Sequence, residues 1–194
     1  ETIAEICALL AFSAIKNNDR VGLILFTDEV EKFIPPKKGR SHVLRVIHEI
    51  LSFNPKRKHT DINAALKLLN DVVTRRSTVF LVSDFISEKY EKLLKISHKK
   101  HDLTAIVVED PSEKSFPSFG ASVDLEDAET GEVFSLAPGA GFRKRFEKAA
   151  AARKEKREKI FSSVGLDFIN VEAGISYIDP LIQFFKNRMR RINR

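Results

Sequence analysis

A short apolar run that ends in an acid, residues 78–85 (TVFLVSDF), constrains the fold more than any other part of the sequence. β-Branched and aromatic residues dominate the run and a helical pattern precedes it, which is typical of a buried central strand in a parallel sheet. Ligands of open α/β sheets bind outside the carboxyl ends of the strands. Because Asp84 directly follows the predicted strand 78–83, it is a candidate to bind a cation; the alternative is that it caps the next helix.

Helical and strand patterns alternate along most of the chain. They predict helices over residues 2–16, 41–53, 62–73, 88–99, 141–163 and 177–191, and strands over 21–26, 30–34, 78–83, 103–108 and 167–171. Two alternating runs around a glycine-containing turn add a β-hairpin at about residues 120–138. This alternation predicts a three-layer α/β/α sandwich with a mostly parallel, Rossmann-like sheet. We expect one domain over residues 1–194, with the hairpin as an insertion.

Composition narrows the class of protein. The chain has 194 residues, of which 43% are hydrophobic and 31% charged, an ordinary globular balance. No apolar run approaches the roughly 20 residues that span a membrane. The lone cysteine, Cys7, fits a reducing compartment, so we expect a cytoplasmic location. Because the first residue is Glu1, we expect an excised fragment, and a membrane anchor could only lie upstream.

The motifs of common enzymes are missing from the sequence. It contains no glycine-rich phosphate loop, no GxSxG elbow and no Cys–His spacing suited to zinc. His98 and His101 lie three apart, and we interpret them as part of an exposed basic turn. A hydrolase centred on Asp84 would lack a second acid or base at a recognisable spacing. We therefore predict that the chain is not an enzyme and has no small-molecule substrate.

Five segments together resemble a known family. These are residues 18–26 (NDRVGLILF), 59–66 (HTDINAAL), 81–85 (LVSDF), 127–132 (DAETGE) and 179–185 (DPLIQFF). The first three resemble strands and loops of von Willebrand factor A-like domains. With the last two, the chain is similar to the bacterial family of such domains encoded beside MoxR-type AAA+ ATPases, known as domain-of-unknown-function family fifty-eight. The resemblance covers nearly the whole chain.

The resemblance implies a metal-dependent adhesion-type site. In such domains a D-x-S-x-S loop, a threonine loop and an aspartate loop hold Mg²⁺, and by resemblance Thr60 and Asp84 occupy the last two places. The D-x-S-x-S loop and the first strand are missing from this chain, so we expect Mg²⁺ in the full-length protein and weak or no binding here. Thr60 or Asp61 could instead act only as the N-cap of the helix over residues 62–73.

The missing first strand has a consequence for the sheet. In the family that the chain resembles, the first strand lies between the strands that correspond to residues 21–26 and 78–83. We expect these two strands to pair directly instead, or the fragment to form a homodimer through their edges.

The charge of the chain is concentrated at its end. Residues 143–194 carry 14 Lys/Arg and 6 Asp/Glu, whereas residues 1–142 carry 19 and 21. The run 143–159 could bind nucleic acid or another anionic surface, but a solvated helix face with Phe142, Phe146 and Phe161 on the core side is favoured. Our main hypothesis is a noncatalytic protein-binding module whose partner, by resemblance, is a MoxR-type AAA+ ATPase or its client.

Overall fold

Helices and strands alternate along the chain, in the order that the sequence patterns predict. The computed structural model describes residues 2–57, 59–87, 89–113, 123–126, 133–136 and 140–192. Its α-helices are α1 (Thr2–Lys16), α2 (Arg40–Leu51), α3 (Ile62–Val72), α4 (Glu91–Lys100), α5 (Ala140–Val164) and α6 (Ile178–Ile192). Its strands are β1 (Val21–Phe26), β2 (Val30–Lys37), β3 (Thr78–Ser83), β4 (Asp102–Glu109), β5 (Val123–Glu126), β6 (Val133–Leu136) and β7 (Asp167–Glu172).

The strands form a mixed α/β fold, which confirms the predicted class. A parallel sheet has the order β3-β4-β7, and β1-β2 and β5-β6 are antiparallel pairs. The predicted hairpin insertion is confirmed where it is described, since Leu125 lies opposite Phe134; its residues 127–132 lie outside the described residues. The prediction that β3 is a central strand is wrong. β4 occupies the centre because its residues Leu103–Val108 are all buried.

The chain divides into two compact units, Glu1–Ala105 and Ile106–Arg194, and the boundary falls within β4. In the first unit, α1 and α2 cover the β1-β2 pair. The buried side chains of this cluster are Ala11, Ile34, Val43, Val46 and Ile50. Full burial of a valine or isoleucine side chain contributes about 1.5–3 kcal/mol, so this small cluster accounts for the position of α2 on the hairpin.

Strand β2 is longer than the sequence predicts. It runs through Pro35 and Pro36 to Lys37 rather than ending at Ile34, and its register with β1 shifts between Val21 and Leu23. Prolines are tolerated in a strand at an edge or a bulge, where no ladder hydrogen bond is needed. A Cβ atom on Gly22 would lie 2.9 Å from Cγ of Pro36, so the glycine makes room for the proline ring.

The expected direct pairing of β1 with β3 is wrong. Among the described residues, β2 is the only strand partner of β1, and β4 is the only strand partner of β3. The short turn between β1 and β2 explains why the hairpin forms, since closing a short loop costs little chain entropy. The alternative outcome, a homodimer, stays a prediction.

Helices α3 and α4 complete the first unit. Ile62, Ala65, Leu66 and Leu69 are the buried side chains of α3, and Leu94 and Ser97 are those of α4. The interpretation of His98 and His101 as an exposed turn is wrong. His101 ends α4 with its ring wholly buried, and His98 is half-buried, because the chain turns directly from this helix into the central strand β4.

The second unit is built around α5, β7 and α6. Phe161 of α5 is wholly buried and packs on Phe168 of β7, with ring centroids 5.2 Å apart. Phe142 and Phe146 are only half-buried, so the predicted core side of α5 is confirmed mainly at its carboxyl end. On the inner face of α6, the side chain of Leu181 is buried. No helix among the described residues is both long and apolar enough to cross a membrane.

Candidate functional site

Asp84 lies in a tight turn after β3. Its Oδ1 accepts a hydrogen bond from the hydroxyl of Ser83 (3.1 Å) and another from the backbone N–H of Ile86 (3.0 Å). The same turn places Phe85 at a φ of 59°, an uncommon conformation for a residue with a large side chain. Phe85 is buried against the edge of Tyr90, which holds the turn in place. The carboxylate of Asp84 therefore has a fixed position at the carboxyl end of β3.

The interpretation of Asp84 as a helix cap is wrong. Helix α4 begins at Glu91, and its N-cap residue is Tyr90. Asp84 is six residues before Tyr90, and its carboxylate stabilises the turn 83–86 instead. Such a local bond to a backbone N–H is common for aspartate and leaves the carboxylate able to accept further bonds.

Thr60 lies in the loop that leads into α3, and the capping role there belongs to its neighbour. Asp61 is the N-cap of α3, with its Oδ1 accepting from the backbone N–H (2.9 Å) and the side-chain amide (3.0 Å) of Asn63. The backbone N–H of Asp61 also donates to the carbonyl of Thr27 at 2.8 Å. The loop is thus attached to the carboxyl end of β1, and the half-buried Thr60 is not needed to start the helix.

A network of acids and bases connects the β1-β2 turn to the Thr60 loop. Arg57 contacts Asp28 through Nη1 (3.1 Å) and Glu29 through Nε (3.2 Å). The backbone N–H of Lys56 donates to both carboxylate oxygens of Glu31, at 3.1 and 3.2 Å. We call these five residues the Arg57 network. The carboxylate of Asp28 and, to a smaller extent, that of Glu29 raise the pKa of the Arg57 guanidinium, so Arg57 is permanently charged. The network is also open to solvent, since 54% of the Arg57 side chain is exposed.

The buried hydroxyl of Thr27 stabilises the same turn. It donates to Oε1 of Glu31 at 2.9 Å, so Glu31 receives bonds from both sides of the contact between turn and loop. In the sequence, residues 27–29 lie between two predicted strands and residues 54–59 between two predicted helices, and no pattern joins the two segments. The signal that could have paired them is their opposite charge, because three acids follow β1 and a run of bases precedes Thr60.

The two predicted metal ligands are not joined to each other. Within the described residues, no hydrogen bond or ion pair connects Thr60 with Asp84. The described part of the chain also holds no group of three or more His, Cys, Asp or Glu side chains suited to a metal ion. The hydroxyl and carboxylate oxygens are donors of the type that Mg²⁺ prefers, but Mg²⁺ takes near-octahedral coordination and two protein donors supply only part of it.

The cysteine and the basic helix complete the set of candidates. Burial raises the pKa of the Cys7 thiol to about 11, so at neutral pH it stays protonated and is a poor nucleophile. On α5, two of the basic residues of the run 143–159 are in ion pairs: Arg157 with Glu109 and Lys159 with Glu155. The Arg157 pair is nearly buried, with 11% of each side chain exposed. This residue is therefore structural rather than available to a ligand.

Comparison with other proteins identifies the family. The sequence profile of the family described as "Protein of unknown function DUF58" matches residues 1–156. The chain belongs to the DUF58 family. Two relatives are "Uncharacterized protein Mb1516" of Mycobacterium bovis and "Uncharacterized protein Rv1480" of Mycobacterium tuberculosis, each 24% identical over 186 residues, which are 94% of this chain and 58% of the relative. "Uncharacterized protein MAV169" of Mycobacterium avium is 27% identical over 161 residues, 81% of this chain and 94% of that protein.

The length of these relatives limits what the family assignment says. This chain of the DUF58 family spans about 58% of the length of the first two relatives. No solved structure matches the sequence. The relatives carry no assigned activity in their names, so the family assignment names no function.

Proposed function

We propose that this DUF58 chain is a von Willebrand factor A-like, noncatalytic module that docks a protein partner through Thr60 and Asp84. One observation supports the proposal most: neither residue caps a helix. Asp61 caps α3 and Tyr90 precedes α4, so the oxygen atoms of Thr60 and Asp84 are not taken up in starting those helices. Asp84 directly follows the carboxyl end of β3, and the loop of Thr60 is bound to the carboxyl end of β1 through Asp61 and Thr27; α/β proteins bind ligands at such strand ends.

In this proposal the fold is a three-layer α/β/α sandwich and the metal is Mg²⁺. The hydroxyl of Thr60 and the carboxylate of Asp84 would hold the ion. When bound, Mg²⁺ would offer its open coordination positions to an acidic side chain of the partner. Because the chain itself contributes few donors, a carboxylate from the partner, together with water molecules, would fill the remaining positions, and binding would then depend on both the metal and the partner.

The partner that we propose is a MoxR-type AAA+ ATPase or the protein that it remodels. This follows from the family resemblance, and the lone, protonated Cys7 agrees with a cytoplasmic site of action. The exposed base Lys56, near Thr60, would favour an acidic partner surface, whereas Arg57 is already paired with Asp28 and Glu29.

Affinity capture tests the proposal. The protein expressed from its complete reading frame is immobilised and mixed with the purified ATPase in Mg²⁺ and, in parallel, in EDTA. We expect capture in Mg²⁺ only. Equal capture in both buffers would contradict a metal-dependent site, and no capture in either would contradict this choice of partner.

A second candidate function is binding to an anionic surface through α5. The observation that favours it is exposure: between Glu147 and Lys156 every residue except Ala150 is exposed, and the segment carries Lys148, Arg153, Lys154 and Lys156. A salt titration separates the two functions. Phosphate contacts lose affinity steeply with salt, roughly 10³–10⁵-fold between 50 and 200 mM for 6–10 contacts, whereas a metal-dependent protein contact loses far less.

A further inference from the structure

A buried polar cluster joins α3 to the last turn of α4, away from Thr60 and Asp84. The side-chain amide of Asn70 donates to the hydroxyl of Ser97 at 2.8 Å, and the ammonium of Lys100 donates to the carbonyl of Asn70. The backbone N–H of His101 donates to the carbonyl of Ser97 at 2.8 Å. Ser97 and His101 are both 0% exposed. We call these four residues the His101 cluster.

The ring of His101 has no hydrogen-bond partner within this cluster. Both Nδ1 and Nε2 are buried without a partner among the described residues, as are Oδ1 of Asn70 and Nδ1 of His98. A neutral imidazole that is buried here has already lost the hydrogen bonds that an exposed ring makes to water. A protonated imidazole would lose more, because a buried charge without an acceptor is far more costly than a buried neutral ring.

The charges around His101 also oppose protonation. Burial, followed by the positive charges of Lys100 in α4 and Arg76 before β3, lowers the pKa of His101. Two carboxylates adjoin residues of the cluster in sequence: Asp71, exposed on α3, follows Asn70, and Asp102, half-buried at the start of β4, follows His101. Neither contributes to the shift of His101, whereas the two bases do. Within the described residues, the charges that shift the pKa of this ring are therefore both positive.

We propose that His101 is a pH-sensitive latch on the contact between α3 and α4: this contact stays closed while the buried ring is neutral and opens when the ring takes up a proton. The direction of the pH effect follows from comparing the closed and open states of the contact between α3 and α4. Above about pH 6.5, the ordinary value for histidine, the ring is neutral whether the contact is closed or open. Below it, the open state takes up the proton first, so acidification favours opening by up to about tenfold per pH unit.

Hydrogen exchange of the 194-residue chain tests the latch. Backbone amides of residues 70–76 and 97–103 are followed at pH 7.5 and pH 5.5, with rates corrected for the chemical effect of pH. We expect their protection factors to fall by about tenfold at pH 5.5, because one pH unit separates this condition from the ordinary pKa. In His101→Phe, whose ring cannot be protonated, we expect protection to be the same at both pH values.

Two controls keep the test decisive. His48→Gln removes an exposed histidine on α2 and should leave the pH effect intact. His101→Gln serves as a second uncharged variant, and ring NMR of the unmodified chain, in which the ring of His101 should titrate below the ordinary pKa of histidine, needs no variant at all. An ordinary titration of His101, unchanged protection at pH 5.5, or an equal loss in both His101 variants would overturn the proposal.

Discussion

The ion pair between Glu109 and Arg157 gives the sharpest test of how the second unit is held together. Glu109 ends β4, Arg157 lies on α5, and only 11% of each side chain is exposed. Nε of Arg157 has no partner of its own among the described residues, so the guanidinium depends on this carboxylate. Replacing Glu109 by Gln would leave a nearly buried positive charge uncompensated, and we expect a loss of about 3 kcal/mol, the lower end for a buried pair.

A double-mutant cycle with Arg157→Met separates this cost from the value of the pair. We expect Arg157→Met to be destabilising as well and the double variant Glu109→Gln/Arg157→Met to recover much of the loss, because no unpaired charge then remains. The assay is urea unfolding followed by circular dichroism, to whose helical signal the long helix α5 contributes. Glu155→Gln is the matched control, since it breaks the exposed Glu155–Lys159 pair on the same helix and should leave the midpoint unchanged. A Glu109→Gln variant as stable as that control would refute the reasoning.

Two further predictions concern the loops around the site. Asp61→Ala should lower the stability of the chain by about 1 kcal/mol in urea unfolding, because it removes the cap of α3, whereas Thr60→Val should lower it less; the reverse order would mean that Thr60 caps the helix. Calorimetry with Mg²⁺ should detect no micromolar binding to residues 1–194, because two protein donors leave most of the coordination shell unfilled; a micromolar dissociation constant would contradict this.

Much of the fold could be predicted, because the spacing of apolar residues and the residues that start or end a helix are local signals in the sequence. The strand 78–83 and the strand starting at Asp167 were predicted at their observed first residues, and Gly165, with a φ of 74°, lies just after the end of α5 as expected. The errors arose where a contact between residues far apart in the sequence determines the structure. The ring of Pro36 is accommodated in β2 because Gly22 lies beside it, and β4 is central because β7, some sixty residues later, pairs with it.

The candidate site was predictable in its residues but not in its contacts. The sequence offered Thr60 and Asp61 as equal candidates for the helix cap, and only the geometry assigns the role to Asp61. The contact between Asp61 and Thr27, the Arg57 network and the burial of His101 all join segments far apart in sequence. Charge and periodicity do not encode such pairings, because they depend on which loops the sheet brings together.

The most direct test of the proposed docking site is the affinity of the Asp84→Ala variant for the MoxR-type ATPase, measured by biolayer interferometry in Mg²⁺ with the protein from its complete reading frame. Asp71→Ala, which removes an exposed carboxylate from α3, is the matched control. The proposal predicts that Asp84→Ala loses the Mg²⁺-dependent binding while its circular dichroism spectrum is retained, and that Asp71→Ala binds normally. Unchanged affinity of a folded Asp84→Ala variant would contradict the proposed role of Asp84.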